Sequence, residues 1–296
     1  MELLDGSKVS QEMLFDVESG VGALQVAGVQ PKLAVILVGQ DPASLSYIKQ
    51  KQKACTFTGI EWIQHDFEES VTTEELIATV ERLNEDESVH GILVQLPLPA
   101  HVYTPDVIKA VTPKKDVDGF EAYNLGKMFL SKEFEHLVPC TPKGVIKLLD
   151  YYDIDVTGKD VVVVGHSNVV GKPLAVMLMN RGATVTVCHK ETKDLTSHTV
   201  NADILCVAVG KRNLITEEMV KEGAVVVDIG INRTESGKLV GDVDFENVSK
   251  KASFITPVPG GVGPMTVACL MENTLFAAQR FHDDSIVAGK HVKKIY

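Results

Sequence analysis

DVVVVGHSNVVGKPLAVMLMNRG, residues 160–182, carries the strongest indication of the fold in this chain. A run of valines ends at Gly165, a short polar turn follows, and an apolar helical pattern begins after Gly171. The valine run predicts a buried strand, and the spacing of the later apolar residues predicts a helix. A strand that passes through a glycine turn into a helix is typical of the first unit of a dinucleotide-binding fold, where the helix start binds a phosphate.

The turn departs from two common phosphate-binding motifs. Ser167 occupies the position of the second glycine in G-x-G-x-x-G, and Pro173 stands where a P-loop has the Ser or Thr that binds magnesium. Gly165 and Gly171 therefore leave two interpretations open: a turn that holds a cofactor phosphate, or a tight strand-to-helix turn with structural glycines.

Apolar runs alternate with helical patterns on both sides of this stretch, which predicts an α/β fold with mainly parallel strands. Helical patterns lie near residues 43–58, 73–85 and 265–281. The predicted strands cover residues 32–39, 60–67, 90–98, 160–165, 183–189, 202–210 and 224–231.

Two prolines in HLVPCTP, residues 136–142, precede a new helical pattern and mark a boundary near residue 139. We predict a three-layer α/β substrate domain over 1–138 and a Rossmann-like dinucleotide-binding domain over 139–274, with a cleft between them. A C-terminal helix and tail over 275–296 is expected to return to the first domain.

Composition excludes several classes of function. A net charge of −11, with 29 dispersed basic residues, argues against a nucleic-acid partner. The chain has no apolar run of membrane-spanning length and no secretory signal pattern at residues 1–10. Its five scattered cysteines form neither a C-x-x-C pair nor a zinc-type spacing. We expect a cytoplasmic protein with no metal and no membrane partner.

The end of the second predicted strand of the cofactor domain bears on the choice between NADP and NAD. An acid at this point binds the ribose hydroxyls of NAD, whereas Lys190 favours the 2′-phosphate of NADP. Glu191 beside it is an alternative ribose acceptor, so NAD stays possible. A later strand ends in DIGIN, residues 228–232, where Ile231 is placed to approach the cofactor and Asp228 caps the turn.

A second group of polar residues lies in the first half of the chain. Tyr47 and Lys51 are four residues apart in a predicted helix and so share one face. Gln95 interrupts an apolar strand, and Asp116 and Asp118 occupy a predicted turn. Buried polar groups need partners, so these residues are candidates for a site. Structural alternatives are a sheet-edge bond for Gln95 and an Asx turn before Gly119 for Asp118.

Eight motifs resemble, in order, those of the bifunctional methylenetetrahydrofolate dehydrogenase/cyclohydrolase family (FolD-type). The resemblance spans about residues 30–280 and is most specific in GILVQLPLP and PGGVGPMT. The motifs are SYIKQK, GILVQLPLP, KDVDGF, PCTPKG, VVVGHSNVVGKP, DIGIN, VGDV and ITPVPGGVGPMT.

The resemblance implies a catalytic site centred on Lys51, with Tyr47 and Gln95 in support and Asp118 binding the pterin of the folate. It implies a homodimer that uses NADP or NAD to oxidise a methylene bridge on tetrahydrofolate, and then hydrolyses the methenyl product. Residues 259–267 would border the active cleft, beginning with Pro259, Gly260 and Gly261. The implied cofactor contacts, which include the glycine at the start of the helix, are Gly165, His166, Ser167, Gly171, Lys190 and Ile231.

Two departures from the family pattern concern the cofactor. The family commonly has arginine where this chain has His166, and often serine where it has Lys190. A histidine lacks the permanent charge and the forked geometry of a guanidinium, while Lys190 supplies a point charge. NADP is favoured, and NAD remains the alternative.

Two rival functions are an oxidoreductase of similar fold acting on an amino acid or hydroxy acid, and a binding module that has lost catalysis. The first leaves GILVQLPLP and PGGVGPMT without a role. The intact set Tyr47, Lys51, Gln95 and Asp118 argues against the second.

Overall fold

The computed structural model describes residues 1–292, without the side chains of Ala43 and of residues 285–292. Its strands are β1 (Glu2–Leu3), β2 (Lys32–Val38), β3 (Glu61–Phe67), β4 (Gly91–Val94), β5 (Asp160–Val164), β6 (Thr184–Cys188), β7 (Ile204–Val207), β8 (Val225–Asp228), β9 (Asn232–Arg233), β10 (Leu239–Val240) and β11 (Phe254–Ile255). Its helices are α1 (Gly6–Val26), α2 (Pro42–Thr58), α3 (Thr73–Glu85), α4 (Thr104–Ala110), α5 (Ala122–Met128), α6 (Cys140–Tyr151), α7 (Gly171–Met179), α8 (Leu195–Thr199), α9 (Phe245–Val248) and α10 (Val262–Val292).

The chain divides into two units, named here by their sheets. The three-stranded unit comprises Glu12–Gly126, His136–Val138 and the residues from Leu270 onward. The six-stranded unit comprises Met1–Gln11, Lys127–Glu135 and Pro139–Cys269.

The sheet of the three-stranded unit has the order β3-β2-β4, with all strands parallel. Side chains of β2 alternate between its faces, and those of Leu33, Ala34, Val35 and Ile36 are all fully buried. Ala34 and Ile36 pack in a core with apolar residues of α3 and α4. Burial on both faces is the expected state of a parallel strand, and it explains why β2 reads as a continuous apolar run.

Local signals set the ends of the helices in this unit. The Asp41 carboxylate accepts the backbone N–H of Ser44 and caps α2, which has Pro42 in its first turn and ends at Gly59 with φ of 76°. Thr72 and Glu75 form a reciprocal capping box at the start of α3. Tyr47 and Lys51 therefore lie on a helix with well-defined ends.

The sheet of the six-stranded unit has the order β1-β11-β8-β7-β5-β6, also parallel throughout. Val161 to Val164 of β5 are buried on both faces, which again matches an uninterrupted valine run. In this order β5 is followed on one side by β6 and on the other by β7. In parallel sheets, a ligand-binding crevice opens where neighbouring connections lead to opposite sides of one strand. Here that strand is β5, and the crevice lies at its carboxyl end. The predicted α/β class with two parallel sheets is confirmed.

Several predicted elements differ in extent from the structure, and the strands predicted over 202–210 and 224–231 are observed only over Ile204–Val207 and Val225–Asp228. The strand predicted over 90–98 ends at Val94, although the backbone N–H of Gln95 still bonds to the carbonyl of Ile36 at 2.9 Å. Pro97 and Pro99 have no N–H for a further ladder bond, so the pairing stops there. The helix predicted over 265–281 is the middle of α10. Residues 293–296 of the predicted tail lie outside the described residues. Within the described part of the chain, no helix has the length and apolar character needed to cross a membrane.

Candidate functional site

A hydrogen bond links helix α2 to the residue that follows β4. Lys51 is 7% exposed, and its Nζ donates to Oε1 of Gln95 at 2.9 Å. A charged ammonium that leaves water needs such an acceptor, because unpaired burial of charge is costly. The structure thus brings together two residues that the sequence predicted for one site.

Gln95 is oriented by a second bond. Its Nε2 donates to the carbonyl of Leu96 at 2.7 Å, so its Oε1 is left to face the ammonium of Lys51. Because Gln95 follows directly on β4, its backbone position is fixed by the buried end of the sheet. The amide therefore holds Nζ in one place.

Tyr47 lies one helical turn before Lys51 on α2, on the same face. Burial raises the pKa of the Tyr47 phenol above its ordinary value. The hydroxyl therefore keeps its proton at neutral pH and can act as a hydrogen-bond donor beside Lys51.

The two aspartates of the KDVDGF turn have different environments. Asp116 is 4% exposed, and burial raises the pKa of its carboxyl to about 6. Asp118 is half-buried. The Asp116 carboxylate accepts bonds of 2.9–3.2 Å from the backbone N–H groups of Gly119, Phe120 and Glu121, and from Nδ2 of Asn124. An Asx turn at Asp118, the alternative that the sequence left open, would accept the N–H of Phe120, and that N–H donates to Asp116.

A cavity of about 520 Å³ opens in the six-stranded unit beside the carboxyl ends of β5, β6 and β7. Four predicted cofactor residues line it, namely Gly165, His166, Ser167 and Lys190. Gly171 and Ile231 are not among the described residues that line it. The other lining residues are Val164, His189, Thr192, Leu195, Ala208, Val209, Lys211 and Leu214.

The turn beside this cavity requires glycine at two positions. Gly165 has φ of 119°, and a Cβ there would overlap the carbonyl oxygen of Ala208. A Cβ on Gly171 would overlap the carbonyl oxygen of Gly165. Both glycines are therefore required by packing, and they let the start of α7 come close to the end of β5. This cradle fits a cofactor phosphate, which needs backbone N–H groups without side chains in the way.

The polar groups that line the cavity are basic or neutral. It is lined by two lysines and two histidines, and none of its described lining residues is an aspartate or glutamate. Glu191 is not among them, and its carboxylate lies 3.7 Å from Nζ of Lys190 at the surface. In a chain of net charge −11, this is a local concentration of positive groups that suits an anionic ligand.

The sequence of each unit matches a model of one protein family. A model described as "Tetrahydrofolate dehydrogenase/cyclohydrolase, catalytic domain" matches residues 4–118, and one described as "Tetrahydrofolate dehydrogenase/cyclohydrolase, NAD(P)-binding domain" matches residues 139–282. The chain belongs to the tetrahydrofolate dehydrogenase/cyclohydrolase family. The resemblance recognised in its motifs is confirmed.

Named members of the tetrahydrofolate dehydrogenase/cyclohydrolase family are similar along nearly the whole chain. The "Bifunctional protein FolD" of Nautilia profundicola is 55% identical over 281 residues, which are 95% of this chain and 98% of that protein. The crystal structure of the bifunctional enzyme FolD from Campylobacter jejuni is 53% identical, with a TM-score of 0.92 over 95% of this chain and 99% of that one. The FolD of Trypanosoma brucei, complexed with NADP cofactor and inhibitor, is 37% identical, with a TM-score of 0.90 over 93% and 96%.

Two aspartates lie beside the cavity, of which Asp228 was predicted as a turn cap and Asp242 was missed. Asp228 accepts bonds from the backbone of Gly230, Asp242 and Val243, which confirms its capping role. Asp242 in turn accepts the N–H groups of Val209 and Gly210 at 2.7 and 2.9 Å. Since Val209 lines the cavity, the pair holds its wall in place. The signal was the aspartate of VGDV, a charged residue inside an otherwise apolar segment.

His189, Thr192 and Lys211 were missed as cavity residues. His189 follows directly on β6, and Lys211 lies in the loop after β7. Their only signal was position, since residues just beyond neighbouring parallel strands meet at one edge of the sheet.

The remaining predicted residues lie in the loop before α10. The carbonyl of Gly260 accepts the backbone N–H of Ser7 at 2.9 Å, and Gly260 has φ of 104°. Pro259 is exposed and Gly261 is buried. These three residues belong to the six-stranded unit, whereas Tyr47, Lys51, Gln95 and Asp118 belong to the three-stranded unit.

Proposed function

We propose that this chain oxidises 5,10-methylenetetrahydrofolate to 5,10-methenyltetrahydrofolate with NADP⁺, and then hydrolyses the product to 10-formyltetrahydrofolate. The observation that carries the proposal is the buried hydrogen bond from Lys51 to Gln95, in the unit matched by the family's catalytic domain. Family membership and the basic cavity of the six-stranded unit support it.

The oxidation places few demands on acid or base residues. Removing hydride from a methylene carbon between two nitrogens leaves a cation that both nitrogens stabilise. The bound nicotinamide supplies the hydride acceptor. The protein's part is to position the two molecules, and the glycine cradle of Gly165 and Gly171, with His166, Ser167 and Lys190, would hold the phosphates and the adenosine end. Ile231 would approach the cofactor from the loop after β8.

The hydrolysis has more need of Lys51. Water adds to the methenyl carbon and loses one proton to give a neutral carbinol. The carbinol O–H then loses its proton as the C=O forms, while one C–N bond breaks and the departing nitrogen takes up a proton. We assign this proton transfer to Lys51, because Gln95 fixes its Nζ and the protonated Tyr47 hydroxyl lies on the same helical face. Lys51 thus transfers the proton, Gln95 orients the Lys51 ammonium, and Tyr47 donates a hydrogen bond.

Substrate binding is assigned to a further set of residues. An ionised Asp118 would accept paired hydrogen bonds from the amino-pyrimidinone edge of the folate, as a carboxylate accepts a guanidinium. Asp118 is suited to this because its neighbour Asp116 already holds the turn. Pro259, Gly260 and Gly261 would contact the substrate too. We propose domain limits of 1–138 for folate binding, 139–274 for the cofactor and 275–296 for the returning helix.

We also propose that the chain is a homodimer in the cytoplasm. Strand β6 is an edge strand that pairs with β5, and Val187 on it is 37% exposed while Met179 of α7 is 51% exposed. An apolar sheet edge favours association, and a second copy would cover it. All five cysteines are free and buried, which fits a reducing compartment. Sedimentation equilibrium should give twice the chain mass, and Val187→Lys should shift the protein toward the monomer.

One assay separates this function from its rivals. The protein is mixed with methylenetetrahydrofolate and either NADP⁺ or NAD⁺, while reduced nicotinamide and methenyl absorbance are followed. We expect both signals to rise with NADP⁺, and the methenyl signal then to decay. Activity on a hydroxy acid instead would favour another oxidoreductase, and no signal with either cofactor would favour a binding module.

A further inference from the structure

A buried amide lies on the C-terminal helix α10. Asn273 is fully buried, and its Nδ2 donates to the carbonyl of Val117 at 2.9 Å and to the carbonyl of Val138 at 3.2 Å. An amide nitrogen carries two hydrogens, so both of its donors are used. All three residues belong to the three-stranded unit, and the bonds join α10 to segments that lie 156 and 135 positions earlier in the sequence. The amide therefore fixes two loops at one point of the helix.

The carbonyl of Val117 belongs to the peptide group that precedes Asp118. A peptide group is planar, so its oxygen lies in one plane with the nitrogen and the Cα of the next residue. When Asn273 holds the oxygen of Val117, it also holds the backbone at the start of Asp118. The side chain of Val117 is itself fully buried, which leaves this peptide group little room to rotate.

The peptide group that follows Asp118 is held by a different side chain. Its N–H, which is that of Gly119, donates to Oδ1 of Asp116 at 3.1 Å. The two peptide planes that flank Asp118 are thus fixed separately, one by the amide of Asn273 and the other by the carboxylate of Asp116. The two soft dihedrals of a residue are the rotations between such planes, so both dihedrals of Asp118 are set. The direction of its Cα–Cβ bond follows from them.

We propose that Asn273 is a positioning residue for folate binding, which holds Asp118 where its carboxylate meets the amino-pyrimidinone edge of the folate. The proposal rests on the role proposed above for Asp118, and it adds a residue of α10 that acts through Asp118. Paired hydrogen bonds require both carboxylate oxygens at defined distances from the two donors. Such a site tolerates a displacement of about 0.5 Å or a rotation of about 10–20°. A turn that is tied to a long helix keeps Asp118 within these limits.

The test separates substrate affinity from stability. Asn273→Leu keeps a side chain of similar volume and removes both donors, so the carbonyl of Val117 loses its bond. In steady-state kinetics at saturating NADP⁺, we expect the KM for methylenetetrahydrofolate to rise about fivefold and kcat to change less than about twofold. If Asn273→Leu does not fold, Asn273→Ser, which retains one donor, replaces it with an expected rise of about threefold. A wild-type KM in the folded variant would overturn the proposal.

Two further variants distinguish positioning from a general loss of stability. Thr274→Val is the matched control, because it removes a buried hydroxyl whose Oγ1 donates within α10, to the carbonyl of Leu270 at 2.8 Å. It should lower the free energy of unfolding and leave KM unchanged. In the Asp118→Ala background, Asn273→Leu should cause no further rise in KM, because Asn273 acts through Asp118. Separate increases that multiply in the double variant would refute this.

The outcomes also separate this proposal from the proposed function. If the wild-type protein does not oxidise methylenetetrahydrofolate, or if Asp118→Ala leaves KM unchanged, the function or the role of Asp118 is wrong, and the role of Asn273 is wrong with it. If Asp118→Ala raises KM and Asn273→Leu does not, only the role of Asn273 is overturned. Since Asn273 and Val117 lie in the three-stranded unit, the dissociation constant of NADP⁺ should equal that of wild type. An increase that matches the rise in KM would show a general loss of structure and contradict positioning.

Discussion

Lys51 Nζ and Gln95 Oε1 are joined by a hydrogen bond of 2.9 Å, across 44 positions of sequence. The bond ties the middle of α2 to the end of β4, the two elements that carry the polar residues of the three-stranded unit. It satisfies a lysine that is 7% exposed, and it leaves Tyr47 one turn away on the same helix. The proton transfer proposed for hydrolysis depends on this fixed position of Nζ.

Gln95→Met should impair hydrolysis more than folding. Methionine has a similar length but cannot accept a hydrogen bond from the ammonium, so the orientation of Nζ is lost. We expect the rate of methenyl hydrolysis to fall about 100-fold and the free energy of unfolding to fall by about 1–3 kcal/mol. Stopped-flow absorbance and urea unfolding measure the two effects. Gln50→Met, at an exposed position of α2, is the control. Wild-type hydrolysis in Gln95→Met would show that the bond is only structural.

Asp118→Ala should weaken folate binding, because the paired acceptor for the pterin edge is removed. We expect the KM for methylenetetrahydrofolate to rise at least about tenfold with a smaller change in kcat, as for loss of a charge-assisted bond. Steady-state kinetics at saturating NADP⁺ measures both. Asp116→Ala is the contrasting variant: it should lower the free energy of unfolding, because four donors lose their acceptor. An unchanged KM in Asp118→Ala would contradict the assigned role.

Lys115→Met should destabilise the three-stranded unit. Lys115 is 1% exposed, and its Nζ donates at 2.8–2.9 Å to the carbonyls of Leu83, Asn84 and Asp86 at the end of α3. Its loss leaves those acceptors without donors, and we expect a decrease of about 3–5 kcal/mol in the free energy of unfolding.

The neighbouring lysine is a matched control for this variant. Lys114 pairs with Asp284 at 2.8 Å, but both side chains are more than half exposed. Lys114→Met should therefore change the free energy of unfolding by less than about 1 kcal/mol. Equal effects of the two substitutions in urea unfolding would refute the capping role of Lys115.

The raised pKa of the buried Asp228 carboxyl predicts how the free energy of unfolding changes with pH. Burial raises the pKa of its carboxyl from 3.8 to about 6, so the folded state binds this proton more tightly than the unfolded state. The resulting stabilisation is complete below the pKa of the Asp228 carboxyl in the unfolded state. It is lost as the pH rises through the pKa of this carboxyl in the folded state. Between about pH 4.5 and about pH 6.5 the loss is about 2 kcal/mol.

Asp228→Asn removes this titration. The decrease in unfolding free energy from about pH 4.5 to about pH 6.5 should therefore be smaller in the variant by about 1–2 kcal/mol. Urea unfolding at the two pH values measures it, with Asp106→Asn on the surface of α4 as the control. The same pH dependence in Asp228→Asn and wild type would disprove the assignment.

Periodicity and turn chemistry predicted the strands and helices because both are local properties. The valine run before Gly165 and the apolar run before Gly39 are central strands whose two faces are buried. Asp41 caps α2, and Thr72 caps α3. The end of β4 was predicted too late, because the apolar residues of GILVQLPLP continue past the last ladder bond. The apolar residues of one segment do not show where pairing with the neighbouring strand ends.

The residues that sequence reasoning missed depend on contacts across long separations. Burial of Lys115 is decided by the carbonyls at the end of α3 and by Phe281, whose ring its Nζ faces at 5.4 Å. His189 and Lys211 become cavity residues only through the order of β6, β5 and β7 in the sheet. In contrast, Tyr47 and Lys51 were predictable as a pair, since one helix places them on one face.

The role of Lys51 in hydrolysis is tested by the rate at which Lys51→Met hydrolyses 5,10-methenyltetrahydrofolate, compared with Lys53→Met at an exposed position of the same helix. We expect Lys51→Met to reduce hydrolysis to the uncatalysed rate while NADP⁺ binding is retained, and Lys53→Met to hydrolyse as fast as wild type. Methenyl hydrolysis at the wild-type rate in folded Lys51→Met would contradict this role.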